Sequence, residues 1–247
     1  FIGDNLEVWD TDHLSPDAVK QLIQHLKAGI LPREIFPPNW VMQLESTANT
    51  FTQLPLYLAS VVPTQTALWQ AYPAVRTITL DQIPLQGLYP TLGVDRALAV
   101  WGAGVTWGWP VLVIDAGTAL TFTGADTHQQ LIGGAILPGL RLQLKSLAQK
   151  TAALPEIELP DGMPQRWALN TTAAIQSGII YTVVAGIRDF IIAWWQEFPD
   201  SKIVLTGGDR TAILTYLQTQ FPQVAAKVTT DPHVIFRGMR LLGSGCG

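Results

Sequence analysis

The 247-residue chain has few of the groups that staple small proteins together or carry their chemistry. Its one cysteine, Cys246, excludes a disulfide framework and a thiolate zinc site, and suits a cytoplasmic protein. The 4 histidines, His13, His25, His128 and His233, show no metal-ligand spacing. Charged residues make up 14%, with 15 Lys plus Arg against 19 Asp plus Glu and a net charge of −4. Without a basic excess, a nucleic acid is not the expected partner. Unbroken apolar runs of about 20 residues, which a membrane helix needs, are also missing. Residues 97–114 contain Gly102, Gly104, Gly108 and Pro110, and residues 178–195 are interrupted by Arg188 and Asp189. With no basic, apolar leader at the start, the reading is a soluble cytosolic protein without a membrane partner. No Ser-His-Asp arrangement, GxGxxG or Walker sequence is present.

Apolar residues are plentiful, at 48% of the chain. That much surface to bury excludes disorder as the main state, and the length suffices for one large domain or two ordinary ones. Phe1 to Trp9 reads as a strand end, a Gly-Asp-Asn turn and a second strand. Ser15 and Pro16 open a helix to Ala28 whose Val19, Leu22, Ile23 and Leu26 share a face. Leu56–Val62 and Arg76–Leu80 read as strands, Thr64–Ala71 and Leu92–Ala103 as helices. After Pro110 come strands Val111–Asp115, Ala119–Gly124 and Gln129–Ile136. Helices Pro138–Ala153 and Thr171–Phe198, strand Lys202–Leu205, helix Arg210–Gln220 and a closing helix from about His233 follow. The second half is an α/β layer with a mixed sheet. The first half repeats its order with the opening strand and turn missing, so the start at Phe1 reads as a cut.

Four segments can carry chemistry. In Asp115-Ala116-Gly117-Thr118-Ala119 a buried strand ends in a carboxylate and a tight turn. Backbone N–H groups and the Thr118 hydroxyl there can face a phosphate, and Asp115 can hold a cation; the same residues also suit a plain hairpin with an Asx turn. Gly133-Gly134-Ala135-Ile136-Leu137-Pro138-Gly139 places glycines and a proline before a helix, an anion site or simply a connection. In Leu92-Gly93-Val94-Asp95-Arg96 a carboxylate at a helix start can take a substrate proton while Arg96 fixes a carboxylate, or Asp95 merely complements the helix dipole. Leu205-Thr206-Gly207-Gly208-Asp209 lets a flat group lie on backbone, or is an ordinary turn. Trp194-Trp195 reads as one core residue and one partly exposed neighbour, or as an interface anchor.

In this order, and together with Thr151-Ala152-Ala153-Leu154-Pro155, Asn170-Thr171, Gln176-Ser177-Gly178 and Asp231-Pro232, these segments resemble the type III pantothenate kinases. That family also includes proteins called Bvg accessory factors. The resemblance is strong from Tyr89 to Gly208 and weaker beyond. It implies an α/β fold of two ribonuclease-H-like, actin-like domains of duplicated topology with mixed sheets and an interdomain cleft. The lobes would be residues 1–108 and 109–247. It further implies ATP-dependent phosphorylation of pantothenate to 4'-phosphopantothenate, opening coenzyme A synthesis, by a cytoplasmic homodimer with Mg2+ and a potassium or ammonium ion.

By the same resemblance Asp95 is the base, and Gly93, Val94, Asp95 and Arg96 line the pantothenate site with Tyr89. Thr171 reaches pantothenate across a dimer interface. Gly117 and Thr118 meet ATP phosphates, Gly133 and Gly134 belong to the nucleotide site, Gly207 and Gly208 lie near adenine, and Asp115 holds the monovalent cation. Two departures stand out. The family's Asp-x-Gly-Asn-Thr phosphate hairpin is absent, which coincides with the missing opening. Gln86 occupies the place where the family often has Tyr, with Tyr89 the nearest substitute. The alternatives are a non-catalytic binding protein of the same fold and another kinase or ATPase of the superfamily.

Overall fold

Local capping sets the first helix of the computed structural model, which describes residues 14–28, 55–150 and 157–243. Ser15 accepts a hydrogen bond from the Ala18 N–H, Pro16 sits in the first turn, and α1 spans Pro16–Lys27. Its Val19, Leu22, Ile23 and Leu26 bury against Tyr72, whose hydroxyl donates to the Leu26 carbonyl. Strand β1 (Leu56–Leu58) pairs in parallel with β2 (Val75–Thr77), and α2 (Pro63–Trp69) connects them. The second strand stops short of Leu80 because Thr79 and Gln82 form a capping box that winds Leu80–Gln82 into a 3-10 turn. The strand and turn expected over residues 1–9 lie outside the described residues.

The chain divides into two compact units. One comprises Phe1–Ile83, Thr91–Asp95 and Met239–Gly247, the other Pro84–Pro90 and Arg96–Gly238. The second unit is built on a mixed five-stranded sheet in the order β5-β4-β3-β6-β7. Its strands are β3 (Val111–Ala116), β4 (Ala119–Ala125), β5 (Leu131–Pro138), β6 (Lys202–Thr206) and β7 (Val228–Thr230). β4 runs antiparallel to β3 and β5, whereas β3, β6 and β7 are mutually parallel. Buried on both faces, β3 and β6 are written as nearly unbroken apolar runs. The helices are α3 (Val94–Trp107), α4 (Leu140–Lys150), α5 (Thr171–Glu197), α6 (Arg210–Gln220), α7 (Pro222–Ala225) and α8 (Val234–Gly243).

Leu112, Ile114, Leu120, Phe122, Ile203 and Leu205 of the sheet share one core with α4, α5 and α6. Helix α5 is long and apolar enough to cross a membrane by length and composition alone. Its Ile180, Val183, Val184, Ile187 and Ile191 are nevertheless packed into that core, which gives the apolar run its purpose. Of the tryptophan pair, Trp194 is buried and Trp195 is partly exposed. Pro138 does not open α4. It closes β5, paired with Ala119, and the edge position of β5 tolerates a residue without an N–H.

Helices α3 and α8 approach through glycine. A Cβ on Gly102 would meet the Val234 carbonyl and the Gly238 nitrogen, and one on Gly238 would meet the Leu98 carbonyl. Neither backbone can give way without unpacking its helix, so Gly238→Val is expected to destabilise the protein by about 1–3 kcal/mol. Urea unfolding measures it; an unchanged midpoint would show that the two helices are not in close contact.

Candidate functional site

The register of β3 with its neighbours brings three chain connections to one edge of the sheet. Asp115 is paired with Thr121 of β4 and Thr206 of β6, while Ala119 is paired with Pro138 of β5. The carboxyl ends of β3, β5 and β6 therefore open side by side, the usual place for a ligand in an open α/β sheet. In the turn after β3, the Gly117 N–H donates to the Ala119 carbonyl at 3.0 Å, which fixes the loop and leaves Thr118 exposed. The Gly139 N–H donates to the Thr118 carbonyl at 2.8 Å, and the Asp209 N–H to the Ala116 carbonyl at 2.9 Å.

Asp115 is half-buried at this edge. Gly207 has φ +89°, and a Cβ there would stand 2.5 Å from Asp115 Oδ1 and from the Ala116 carbonyl. Both the left-handed backbone and the close approach require glycine. At Gly208 a Cβ would meet nothing within 4 Å, so the space over that peptide is open. The structure thus gathers Asp115, Gly117, Thr118, Gly207 and Gly208.

Two charged residues that sequence reasoning had not assigned to the site brace this edge. Arg141 Nε donates to Asp209 Oδ1 at 2.8 Å, and its Nη1 reaches Glu158 Oε2 at 3.3 Å. The hydrogen bond to Asp209, followed by its charge, raises the Arg141 pKa further. Burial, then the Asp209 charge, pushes the Tyr216 hydroxyl up as well. Asp209 was visible in the sequence only as the end of a turn motif, and nothing near Arg141 marked it.

A second group forms around Arg96, which is 9% exposed. Its Nε donates to Thr123 Oγ1 at 2.9 Å, Nη2 to the Phe122 carbonyl at 3.0 Å, and Nη1 to the Tyr89 hydroxyl at 3.2 Å. Three neutral oxygens thereby orient a planar guanidinium. Tyr89 reaches it because the loop before α3 is pinned: the Gln86 N–H donates to the Gln129 carbonyl, and the Leu131 N–H to the Gln86 carbonyl. Thr123 and the pinning Gln129 carried no signal of this in the sequence.

Gly134 lies against Arg96, with Gly133 beside it on β5. Gly134 is paired with Thr123, four residues along β4 from Ala119, or about 14 Å from the turn. A Cβ on Gly134 would stand 2.6 Å from Arg96 Nη2. With Phe122, Ile132, Phe190 and Trp194 the two glycines also line an apolar cavity of about 250 Å3.

Asp95 lies in the first turn of α3, where a carboxylate complements the helix dipole. A Cβ on Gly93 would collide with Asp95 Oδ1, so the glycine is what lets this carboxylate fold back over the helix start. Val94 is buried beside it and anchors the turn. Thr171 is exposed at the start of α5, after Asn170, whose side chain accepts the Ala173 N–H at 2.9 Å. Thr151–Pro155 lies outside the described residues.

Among the described residues, no cluster of three or more His, Cys, Asp or Glu side chains is placed to hold a metal. Magnesium bound through one or two carboxylates and substrate phosphates needs no such cage.

Comparison with known proteins bears on these groups. A family model for type III pantothenate kinases matches residues 40–193. A type III pantothenate kinase of Nostoc is 51% identical over 251 residues, covering 99% of this chain and 89% of the relative. One from Synechococcus is 46% identical over 78% of this chain and 81% of its own length. One from Synechocystis is 45% identical over 78% and 75%. A crystal structure of a Baf family protein, described as a transcriptional activator, from Campylobacter jejuni shares the fold. Its TM-score is 0.57 at 22% identity, over 78% of this chain and 84% of that one. The chain belongs to the type III pantothenate kinase family.

Proposed function

We propose that this kinase transfers the γ-phosphoryl group of ATP to the primary hydroxyl of pantothenate, giving 4'-phosphopantothenate for coenzyme A synthesis, with its residues in the following roles. The nucleotide lies at the carboxyl edge of the sheet: phosphates against Gly117 and Thr118, adenine over Gly207 and Gly208. One observation supports this most directly, the meeting of Asp115, Thr118 and the Gly207-Gly208 connection at a single edge. Pantothenate takes the other group. Arg96, oriented by Thr123, Phe122 and Tyr89, receives its carboxylate, while Gly93 and Val94 shape the start of the helix around Asp95. Gly134, expected at the nucleotide together with Gly133, serves this reading better as the floor beneath Arg96.

Asp95 accepts the hydroxyl proton. A carboxylate is a weak base, but in a loose phosphoryl-transfer transition state the proton leaves late, and positioning does most of the work. Magnesium bound with ATP would neutralise phosphate charge, and the half-buried Asp115 carboxylate would hold a potassium or ammonium ion that adds to that effect.

The reading includes the two lobes, residues 1–108 and 109–247, each of ribonuclease-H-like topology. The β5-β4-β3-β6-β7 order supports it for the second lobe. It also takes the enzyme as a cytoplasmic homodimer. Trp167 and Leu169, 86% and 101% exposed a few residues before Thr171, are apolar side chains of the kind that anchor a subunit interface.

Three outcomes are expected of the natural full-length protein. Asp95→Asn keeps its fold and loses about 10²–10⁴-fold in kcat, read by coupled ADP release; unchanged turnover removes Asp95 as base. Gly208→Leu has room in the fold, so its Tm stays within about 2 °C of wild type while KM for ATP rises at least about tenfold. An unmoved ATP KM would take the nucleotide away from this connection. Leu169→Glu combined with Trp167→Ala yields monomers in sedimentation velocity; an intact dimer would place the interface elsewhere.

A further inference from the structure

We infer that Arg141 is a positioning residue for the nucleotide, its ion pair with Asp209 clamping the Gly207-Gly208 connection to the connection between β5 and α4. This rests on the reading that Gly207 and Gly208 receive ATP, and goes beyond it by naming what holds them in place.

The clamp closes a ring around the turn that carries Thr118. On one side the Gly139 N–H is bonded to the Thr118 carbonyl, and Arg141 follows two residues later in the first turn of α4. On the other the Asp209 N–H is bonded to the Ala116 carbonyl, next to Gly207 and Gly208. The side chains of Arg141 and Asp209, 68 residues apart in sequence, join the two sides at 2.8 Å. Backbone bonds therefore fix each connection to the turn, and the ion pair fixes the connections to each other.

The placing of Asp209 supports a purpose beyond ordinary helix capping. An Asp before the first turn of a helix usually accepts a hydrogen bond from the backbone two or three residues on. Asp209 stands at that position of α6 and makes no such bond with its side chain. Its carboxylate is 7% exposed and turned to Arg141, which is 62% exposed. A nearly buried carboxylate is costly unless paired, so the loss of Arg141 leaves it without that compensation and the connection free to shift. Glu158, the second partner of Arg141, is 88% exposed and adds little.

Arg96 and its partners are anchored four residues further along β4, outside the ring. The clamp thus acts on one substrate. Arg141→Met in the natural full-length enzyme raises KM for ATP about tenfold, with KM for pantothenate and kcat within about threefold of wild type. Arg141→Lys, which keeps a cation near Asp209 without the planar fork, falls between wild type and Arg141→Met. Asp209→Asn raises the ATP KM alone, and the Arg141→Met/Asp209→Asn double variant is no worse than the more impaired single variant. Glu158→Gln leaves both KM values within about twofold.

An ATP KM unmoved in Arg141→Met overturns the inference. So do equal rises in both KM values that track a fall in Tm, the signature of a residue that only stabilises the fold. If Arg141→Met does not accumulate as folded protein, Arg141→Gln gives the same readout. The underlying reading fails separately: an unmoved ATP KM in Gly208→Leu strikes the nucleotide assignment, whereas a rise there with none in Arg141→Met strikes the clamp alone.

Discussion

The pairing of β3 with both neighbours is the constraint on which the rest depends. Because Asp115 lies opposite Thr121 on one side and Thr206 on the other, the strand must end level with β6, and the turn after it must face the connection leaving β6. A slip of one residue would exchange the faces of β3 and carry Asp115 onto the face where Leu112 and Ile114 now pack against α5 and α6. The apolar run Val111–Ile114 makes that slip expensive, since Leu112 and Ile114 belong to the large core. Hydrophobic burial thus sets the register, the register sets the edge, and the edge determines which residues meet.

The two polar groups of the second unit have different characters, in keeping with different ligands. Around Thr118 the donors and acceptors are mainly backbone, held by short hydrogen bonds between connections, as suits a phosphate chain that must be approached closely. Around Arg96 a single guanidinium is oriented by a hydroxyl on β4, a carbonyl on β4 and the phenol of Tyr89, as suits one carboxylate recognised in one plane. Asp95, next in sequence to Arg96, depends instead on Gly93 for the space its carboxylate occupies.

Much of this was legible in the residues. Ser15 and Pro16 start α1 where capping chemistry says they should, and the apolar strands around Asp115 and Thr206 differ from expectation by a residue or two at their ends. The ordered motifs sufficed to point to the family. What escaped notice was set by tertiary pairing. Pro138 looks like a helix opener, but an edge strand needing only a partner for its carbonyl absorbed it. Val228–Thr230 is too short to show a period, and becomes β7 because β6 offers a free edge. Arg141 and Asp209 are far apart in the chain, and only the folded sheet edge brings them together. Nothing in the sequence around Gly134 signals the space that its missing Cβ leaves for Arg96.

The most direct measurement is a crystal structure of the natural full-length protein with pantothenate and a non-hydrolysable ATP analogue. The account predicts phosphate oxygens within hydrogen-bond reach of the Thr118 hydroxyl, adenine against Gly207 and Gly208, the pantothenate carboxylate on Arg96, and its primary hydroxyl on Asp95. A nucleotide bound away from the carboxyl ends of β3 and β6, or a pantothenate hydroxyl out of reach of Asp95, would contradict it.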